Sequence, residues 1–386
     1  MASPRMISAD SHFTEPPDLW TARIDKKYAD RAPRVVNDER GAIFLAPGLR
    51  PFAVGGAFSH GASGEVLKEF ATKTYADARP SGWDPVERIR DQDIDGVEAE
   101  VLYTTLGMSL FSLPDVELLA ACFRTYNDWA AEFCSYNPKR LAAVALISVE
   151  DVDEGVRELR RCAKLGLKGA MICGAPTPER PYHSRIYDPF WATAQELGTP
   201  ISLHLVTGRK VPKSRDAKSA REMAGEQTTP RVLSKGFSRA YMTALHEIQC
   251  TFIDIILGGV LERFPNLKIV SAENDTGWLP HFLYRLDHAF EKFGPMSDQT
   301  PLTLKPSEYV RRQLWATFQD DPVGPTTYKF FGEDNYMWAS DFPHSDCTWP
   351  HSREVVERDF AGVPAEIKEK IVYTNAARLY AIGLAA

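Results

Sequence analysis

The sequence predicts an α/β fold, a (β/α)8 barrel of the TIM type with inserted cap segments after its first and fifth strands. Three observations predict it. Eight short apolar runs recur along the chain with helical patterns between them, an alternation that gives a parallel sheet and, at eight units, a closed one. Asp10, His204, Glu273, Gln319 and Asp341 fall at or near the C-terminal ends of those runs, the end of a barrel where active sites are built. The 386 residues, 44% of them hydrophobic, are enough for one large buried core, so residues 1–386 are read as a single domain.

The first run is Met6-Ile7-Ser8-Ala9-Asp10. Residues 13–85 then break the rhythm: they contain PP, GG, GASG and RPSGWDP and are too long for an ordinary loop, which predicts a lid or cap over the barrel mouth. VEAEVLY (97–103), LAAVALI (141–147), LKGAMIC (167–173) and PISLHL (200–205) follow, with helices expected over 115–136, 151–165 and 184–197. After the fifth run comes a second insertion, the polar and basic segment 206–236. A helix over 238–263 leads to LKIVSAE (267–273), LWATFQ (314–319) and NYMWASD (335–341). The tail, 363–384, is expected to be helical and to pack on the barrel exterior.

With 45 basic and 52 acidic residues the net charge is −7, so no global field draws the protein to nucleic acid or to an anionic membrane. No run approaches the roughly 20 apolar residues of a membrane span, and MASPRMISADSH reaches charged residues before an h-region forms, so a cytoplasmic protein is expected. Six cysteines, at 122, 134, 162, 173, 250 and 347, show no C-x-x-C pair and are expected to be buried reduced thiols.

In Asp10-Ser11-His12 the two polar side chains stand two positions apart at a strand end, so both point to the same face, here the lumen. That suits capture of one cation, although a D-x-H also fits a turn in which Asp caps the next segment. His204 ends an otherwise apolar strand, where an imidazole takes a core hydrogen bond or coordinates a metal. Asp341 follows a hydrophobic strand and precedes Phe-Pro, as a ligand and base or as a helix cap. Together Asp10, His12, His204 and Asp341 form an N/O set on three strands that suits one divalent metal ion, Zn²⁺, Fe²⁺ or Mn²⁺, with positions left for water and substrate.

Ordered blocks along nearly the whole chain carry a resemblance: ADSHFTEP (9–16), DPVERIRDQDIDGVEAEVLYTT (84–105), YNDWAAEFCSYNPKRLAAVALI (126–147), GGVLERFPNLKIVSAENDTGWLPHFLYRLD (258–287) and WASDFPHSD (338–346). The chain resembles the amidohydrolase superfamily, in the branch related to aminocarboxymuconate semialdehyde decarboxylase and the hydroxybenzoate decarboxylases. The resemblance implies a mononuclear site in which Asp10, His12, His204 and Asp341 hold the metal. Many relatives have His-x-His where this chain has Asp10-Ser11-His12, and several decarboxylases have an acidic residue at that first position. Relatives often have a proton-transferring His at the end of the sixth strand, where Glu273 stands here. Binuclear members use a carboxylated Lys at the mouth end of the fourth strand; Lys168 lies at the other end, so one metal is expected.

The metal shell serves two reactions. In hydrolysis of an acyl bond (ester, thioester, lactone or amide), the reading to which the sequence leans, Asp341 takes a proton from a metal-activated water and Glu273 or His344 protonates the leaving group. The alternative is non-oxidative decarboxylation of a hydroxy-aromatic or related unsaturated carboxylic acid. A non-catalytic metal-binding barrel is the third reading. The basic stretch 208–223, which includes Arg209, Lys210, Lys213, Arg215, Lys218 and Arg221, is expected to grip an anionic group of a small-molecule substrate, the alternative being a solvated loop. Trp278, with Phe282 and Tyr284, is a candidate wall of the substrate pocket, and His60 a candidate cap residue. His183, His246, His281, His288 and His351 are read as structural or surface residues. A homodimer is implied by the resemblance.

Overall fold

The computed structural model describes residues 5–209, 237–294 and 301–383. All eight runs are parallel strands of one barrel sheet, in the order β1 (Ile7–His12), β5 (Ala99–Tyr103), β6 (Leu141–Leu146), β7 (Gly169–Ile172), β8 (Ile201–His204), β9 (Ile269–Ala272), β10 (Leu314–Phe318) and β11 (Tyr336–Trp338). Three short strands of the first insertion, β2 (Arg34–Asp38), β3 (Gly41–Leu45) and β4 (Phe52–Ala53), form a separate antiparallel sheet. Barrel strands are covered on both faces, which is why a run such as LAAVAL is apolar throughout and buried at every position.

Local sequence starts the outer helices. Asp84, Asp115 and Asp151 each precede a helix and accept a backbone N–H of its first turn, at 2.8, 3.0 and 3.0 Å. Gly96 ends the first of these helices, Pro85–Asp95, in the left-handed conformation at φ 75°, which glycine adopts without a Cβ clash. Two expected helices are interrupted. The segment 184–197 begins as a 3-10 turn over Arg185–Tyr187 before the helix Asp188–Leu197, and 238–263 breaks at Gly259 (φ 75°) into Phe237–Leu257 and Val260–Arg263.

The tail corrects an expectation. It is helical over Ala365–Glu369 and Asn375–Tyr380, with a π-helical turn between them. Instead of lying on the outside, it closes the barrel floor: buried Tyr380 packs on Gly169 at the start of β7, and its hydroxyl meets that of Tyr103 at 3.3 Å. The thiols need a smaller correction: Cys122, Cys134, Cys162 and Cys173 are buried, Cys347 is half-buried and Cys250 is exposed, all unpaired with one another. Among the described residues no helix is long and apolar enough to cross a membrane. The first insertion reaches the barrel mouth, where the N–H groups of His60 and Gly61 donate to the carbonyls of Pro343 and His344, both at 2.9 Å. Of the expected basic loop, residues 210–236 lie outside the described residues.

The ring closes where β11 meets β1, and the contacts there are few and specific. Asp341 N–H donates to the Asp10 carbonyl (2.9 Å), His12 N–H to the Phe342 carbonyl (2.8 Å), and Ser340 N–H to Ser8 Oγ (2.8 Å). β1 carries a bulge between Ser8 and Ser11 in its pairing with β5, a device that re-aims a side chain at a sheet rim. Behind this seam Arg88, fully buried, donates to both the His12 and Phe342 carbonyls at 2.7 and 3.3 Å and forms a two-pronged ion pair with Glu100 at 2.6 and 3.0 Å.

Removing one partner leaves an uncompensated buried charge, so Arg88→Met should destabilise the protein by about 3–5 kcal/mol in urea denaturation, whereas Arg88→Met with Glu100→Leu should cost less. Equal stability of Arg88→Met and the wild type would contradict this account of the seam.

Candidate metal centre

Asp10 and His12 come from the end of β1, His204 from the end of β8, and Asp341 from just past β11. All four are buried to within 1% of full burial. His12 Nε2 lies 3.5 Å from Asp10 Oδ1 and 3.2 Å from Asp341 Oδ1, and His204 Nε2 lies 3.6 Å from Asp10 Oδ1. With metal–ligand bonds of about 2.1 Å, neighbouring atoms of a tetrahedral shell stand about 3.4 Å apart, which matches the separations of Asp10 Oδ1 from His12 Nε2 and His204 Nε2; Asp341 joins through His12, in a second group completed by His344.

The hydrogen bonding sorts each side chain into a held atom and an unpartnered one. His12 Nδ1 donates to the Thr104 carbonyl at 2.8 Å, which fixes the tautomer that leaves Nε2 bare. His204 Nδ1 faces the Leu205 carbonyl at 3.1 Å and Glu273 Oε2 at 3.4 Å. Asp10 Oδ2 accepts from Thr317 Oγ1 at 3.0 Å, and Asp341 Oδ1 faces His344 Nδ1 at 3.1 Å. Asp10 Oδ1, His12 Nε2, His204 Nε2 and Asp341 Oδ2 have no hydrogen-bond partner among the described residues. Buried polar atoms are rarely left so, and four of them belonging to one cluster of carboxylates and imidazoles fit the shell of a divalent cation.

The backbone at the strand ends is strained in support of this arrangement. Val206, Glu273 and Asp341 lie just past β8, β9 and β11 with φ of 58°, 54° and 57°, a left-handed conformation that costs a non-glycine residue about 1–2 kcal/mol.

The charges of the metal-free cluster are tightly linked. Burial pushes the Asp10 and Asp341 carboxyls up, but the imidazoles more than offset it: His204 and His12 hold Asp10 below the usual carboxylate range, and His344 and His12 do the same for Asp341. His12 is raised well above the usual histidine value: burial opposes its charge, but the adjacent Asp10 and Asp341 carboxylates prevail. Glu273 is pushed well above the carboxylate range by burial and by the Asp341 charge, and His344 is lowered by burial and by His12.

A cavity of about 630 Å³ opens above this point, with Glu273, Asp341 and His344 in its lining. Its walls include Leu67 from the first insertion, Met108, Leu205, and Tyr241 and Met242 from the helix Phe237–Leu257. No Lys or Arg lines it among the described residues.

A match of the amidohydrolase family model to residues 10–382 spans nearly the whole chain. The chain belongs to the amidohydrolase family. The gamma-resorcylate decarboxylase of Rhizobium sp. (strain MTP-10005) is 26% identical over 309 residues, 76% of this chain and 86% of that protein. Among solved structures, an amidohydrolase from Mycobacterium avium subsp. paratuberculosis K-10 superposes with a TM-score of 0.74 at 23% identity, covering 98% of this chain and 100% of that one. A dihydroxybenzoic acid decarboxylase from Polaromonas sp. JS666, with bound manganese and the inhibitor 2-nitroresorcinol, gives a TM-score of 0.65 at 20% identity, covering 99% and 98%. The barrel is thus the amidohydrolase fold, and the branch anticipated from the sequence blocks is the one these relatives represent.

The other expected site residues divide. Glu273 stands beside His204, and the His344 ring lies 4.0 Å from that of His12. Arg209 departs from the expectation of an open cation: its guanidinium is committed to Glu150 at 3.3 Å and the Phe111 carbonyl at 2.8 Å, and it does not line the cavity over Asp341. Lys210 lies outside the described residues, as do Lys213, Arg215, Lys218 and Arg221. Trp278 is absent from that lining too; its indole donates to the carbonyls of Asn274 and Asp275, and its ring meets Phe282 edge-on at 4.9 Å. His60 packs among Phe70, Phe342 and Trp349.

The sequence reading overlooked Thr317, which holds Asp10 Oδ2 and accepts the Glu273 N–H at 2.8 Å, and Arg88 behind the seam. Thr317 carried no sequence signal, since a threonine in a strand is ordinary. Glu100 did: a carboxylate within the apolar run VEAEVLY asks for a buried cation.

The purified protein should carry about one equivalent of divalent metal per chain, and His12→Ala or His204→Ala should remove it, as read by elemental analysis. Because binding displaces the His12 proton, affinity should rise with pH while protons are released, a slope that calorimetry in buffers of different ionisation enthalpy would measure.

Proposed function

We propose that this chain is a divalent-metal-dependent, non-oxidative decarboxylase of a hydroxy-aromatic or related unsaturated carboxylic acid, with manganese as a fitting ion. The observation that carries the reading is the buried cluster of Asp10, His12, His204 and Asp341, each with one unpartnered polar atom, beside a cavity that Glu273, Asp341 and His344 line. The choice of reaction is supported by similarity to gamma-resorcylate decarboxylases along three-quarters of the chain and by the acidic first ligand Asp10.

A divalent cation held here would supply Lewis-acid charge for a substrate carboxylate. Asp10, His12, His204 and Asp341 would hold that cation, with Thr317 and the Thr104 carbonyl fixing Asp10 and His12. Loss of carbon dioxide leaves the carbon–carbon bonding pair on the ring carbon, which must take a proton. Glu273 and His344 face the cavity and are the groups in reach to deliver it; His344 then exchanges with Asp341 at 3.1 Å. Leu67, Met108, Leu205 and Met242 give the cavity apolar walls that keep water from the carbanion-like centre and suit an aromatic ring.

Acyl-bond hydrolysis remains the second reading, favoured by Glu273 at the end of the sixth barrel strand, where the family resemblance implies a histidine. It predicts neither carbon dioxide nor ring deuteration. A homodimer, the assembly implied by the family resemblance, is checked by light scattering of the purified protein.

Manganese-loaded protein incubated with a panel of hydroxybenzoic acids in deuterated water should release carbon dioxide and place deuterium on the vacated ring carbon. Asp341→Asn should lower kcat/KM by at least about 100-fold. Turnover of esters or lactones with none of the aromatic acids would overturn the decarboxylase reading in favour of hydrolysis.

A further inference from the structure

Glu15, three residues beyond His12, is fully buried and forms no ion pair among the described residues. An unpaired carboxylate in such a place is expensive, so its donors identify its task. All come from the junction that follows β5: Thr104 and Thr105 link the strand to the helix Leu106–Leu110, and Leu106 and Gly107 open that helix. Glu15 Oε1 accepts from Thr104 Oγ1 and from the N–H of Thr105 and Gly107, both at 3.2 Å, and Oε2 accepts the Leu106 N–H at 2.9 Å. Burial pushes the Glu15 pKa up and these donors oppose it.

The two residues at the centre of this grip are the two that touch the candidate centre. The Thr104 carbonyl takes the His12 Nδ1–H at 2.8 Å, leaving Nε2 bare towards the ligand cluster. Thr105 Oγ1 is hydrogen-bonded to the Phe13 carbonyl at 2.5 Å and to His344 Nε2 at 2.9 Å, and His344 Nδ1 faces Asp341 Oδ1 at 3.1 Å. Thr104 and Thr105 sit at the buried junction of β5 and the helix Leu106–Leu110, where a carbonyl and a hydroxyl left to themselves keep some freedom to turn. Four donors converging on one buried carboxylate remove that freedom.

We propose that Glu15 is a positioning residue of the candidate centre, which orients His12 through the Thr104 carbonyl and His344 through the Thr105 hydroxyl by clamping the junction between them. The inference rests on the metal-site reading given above. Glu15 touches neither the ligand point nor the cavity; it acts through its neighbours, as the outer partners of metal-bound histidines do.

The test is a set of manganese titrations of metal-free protein, with folding followed by circular dichroism and thermal melting. Glu15→Gln keeps the shape but sets an amide NH₂ against the N–H donors; it should weaken manganese binding by about 10- to 100-fold. Asp95→Asn is the control. It removes another buried carboxylate that accepts from a loop and a helix start, through Ser352 N–H at 3.0 Å and Ser352 Oγ at 2.5 Å, yet has no contact with the ligands, and should leave manganese affinity unchanged. Thr104→Val removes one donor to the clamp, should weaken binding in the same direction, and decides the matter if Glu15→Gln does not fold. Thr105→Val should leave affinity unchanged but lower kcat and displace the pH profile, with Thr105→Ser restoring both.

Wild-type affinity in folded Glu15→Gln, or in Thr104→Val, overturns the proposal while leaving the metal site intact. A wild-type protein that takes up no manganese or other divalent ion overturns the site itself and this inference with it.

Discussion

Closing the barrel and assembling the candidate centre are one event. β11 has only three residues, and the ring is joined to β1 by hydrogen bonds of the backbone at Asp10, His12, Asp341 and Phe342. Three of these four carry proposed ligands. A shift of the seam is therefore a shift of the ligand atoms, and Arg88, which holds two of the seam carbonyls against Glu100, guards both at once. The bulge in β1 belongs to the same joint: it turns Asp10 and His12 towards one point while Ser8 and Ser11 tie the strand to Ser340.

Two carboxylates and two imidazoles buried in contact would be a liability in an ordinary core. Here each has one atom held by Thr317, Thr104, His344 or the main chain beside His204, and its other atom turned inward without a partner. That division is how a protein presents a shell of fixed geometry: the outer bonds set orientation and tautomer, and the inner atoms wait for charge. The left-handed backbone at Val206, Glu273 and Asp341 belongs to the same economy, since strain persists only where the surroundings over-determine it.

The cavity lining bears on how a substrate acid is recognised. Its described walls are apolar, hydroxyl-bearing and acidic, with His344 among them, and Arg209, the one described member of the expected anion grip, pairs with Glu150. The first insertion adds Leu67 to the wall and is pinned through His60 and Gly61 to the loop that carries Asp341.

The amino-acid sequence by itself determined the barrel, its eight strands, and the pairing of polar residues with strand ends, because a strand buried on both faces must be an unbroken apolar run and an exception to that rule stands out. Asp10, His12, His204 and Asp341 were legible as such exceptions. The tail that closes the floor, the break at Gly259, the commitment of Arg209 to Glu150 and the roles of Arg88, Glu15 and Thr317 were decided only in three dimensions. Each of these depends on a partner far away in the chain, and a threonine, a glutamate or an arginine looks the same in sequence whether it faces water or a buried carbonyl. Periodicity records which face of an element is dry; it does not record which atom waits on the other side.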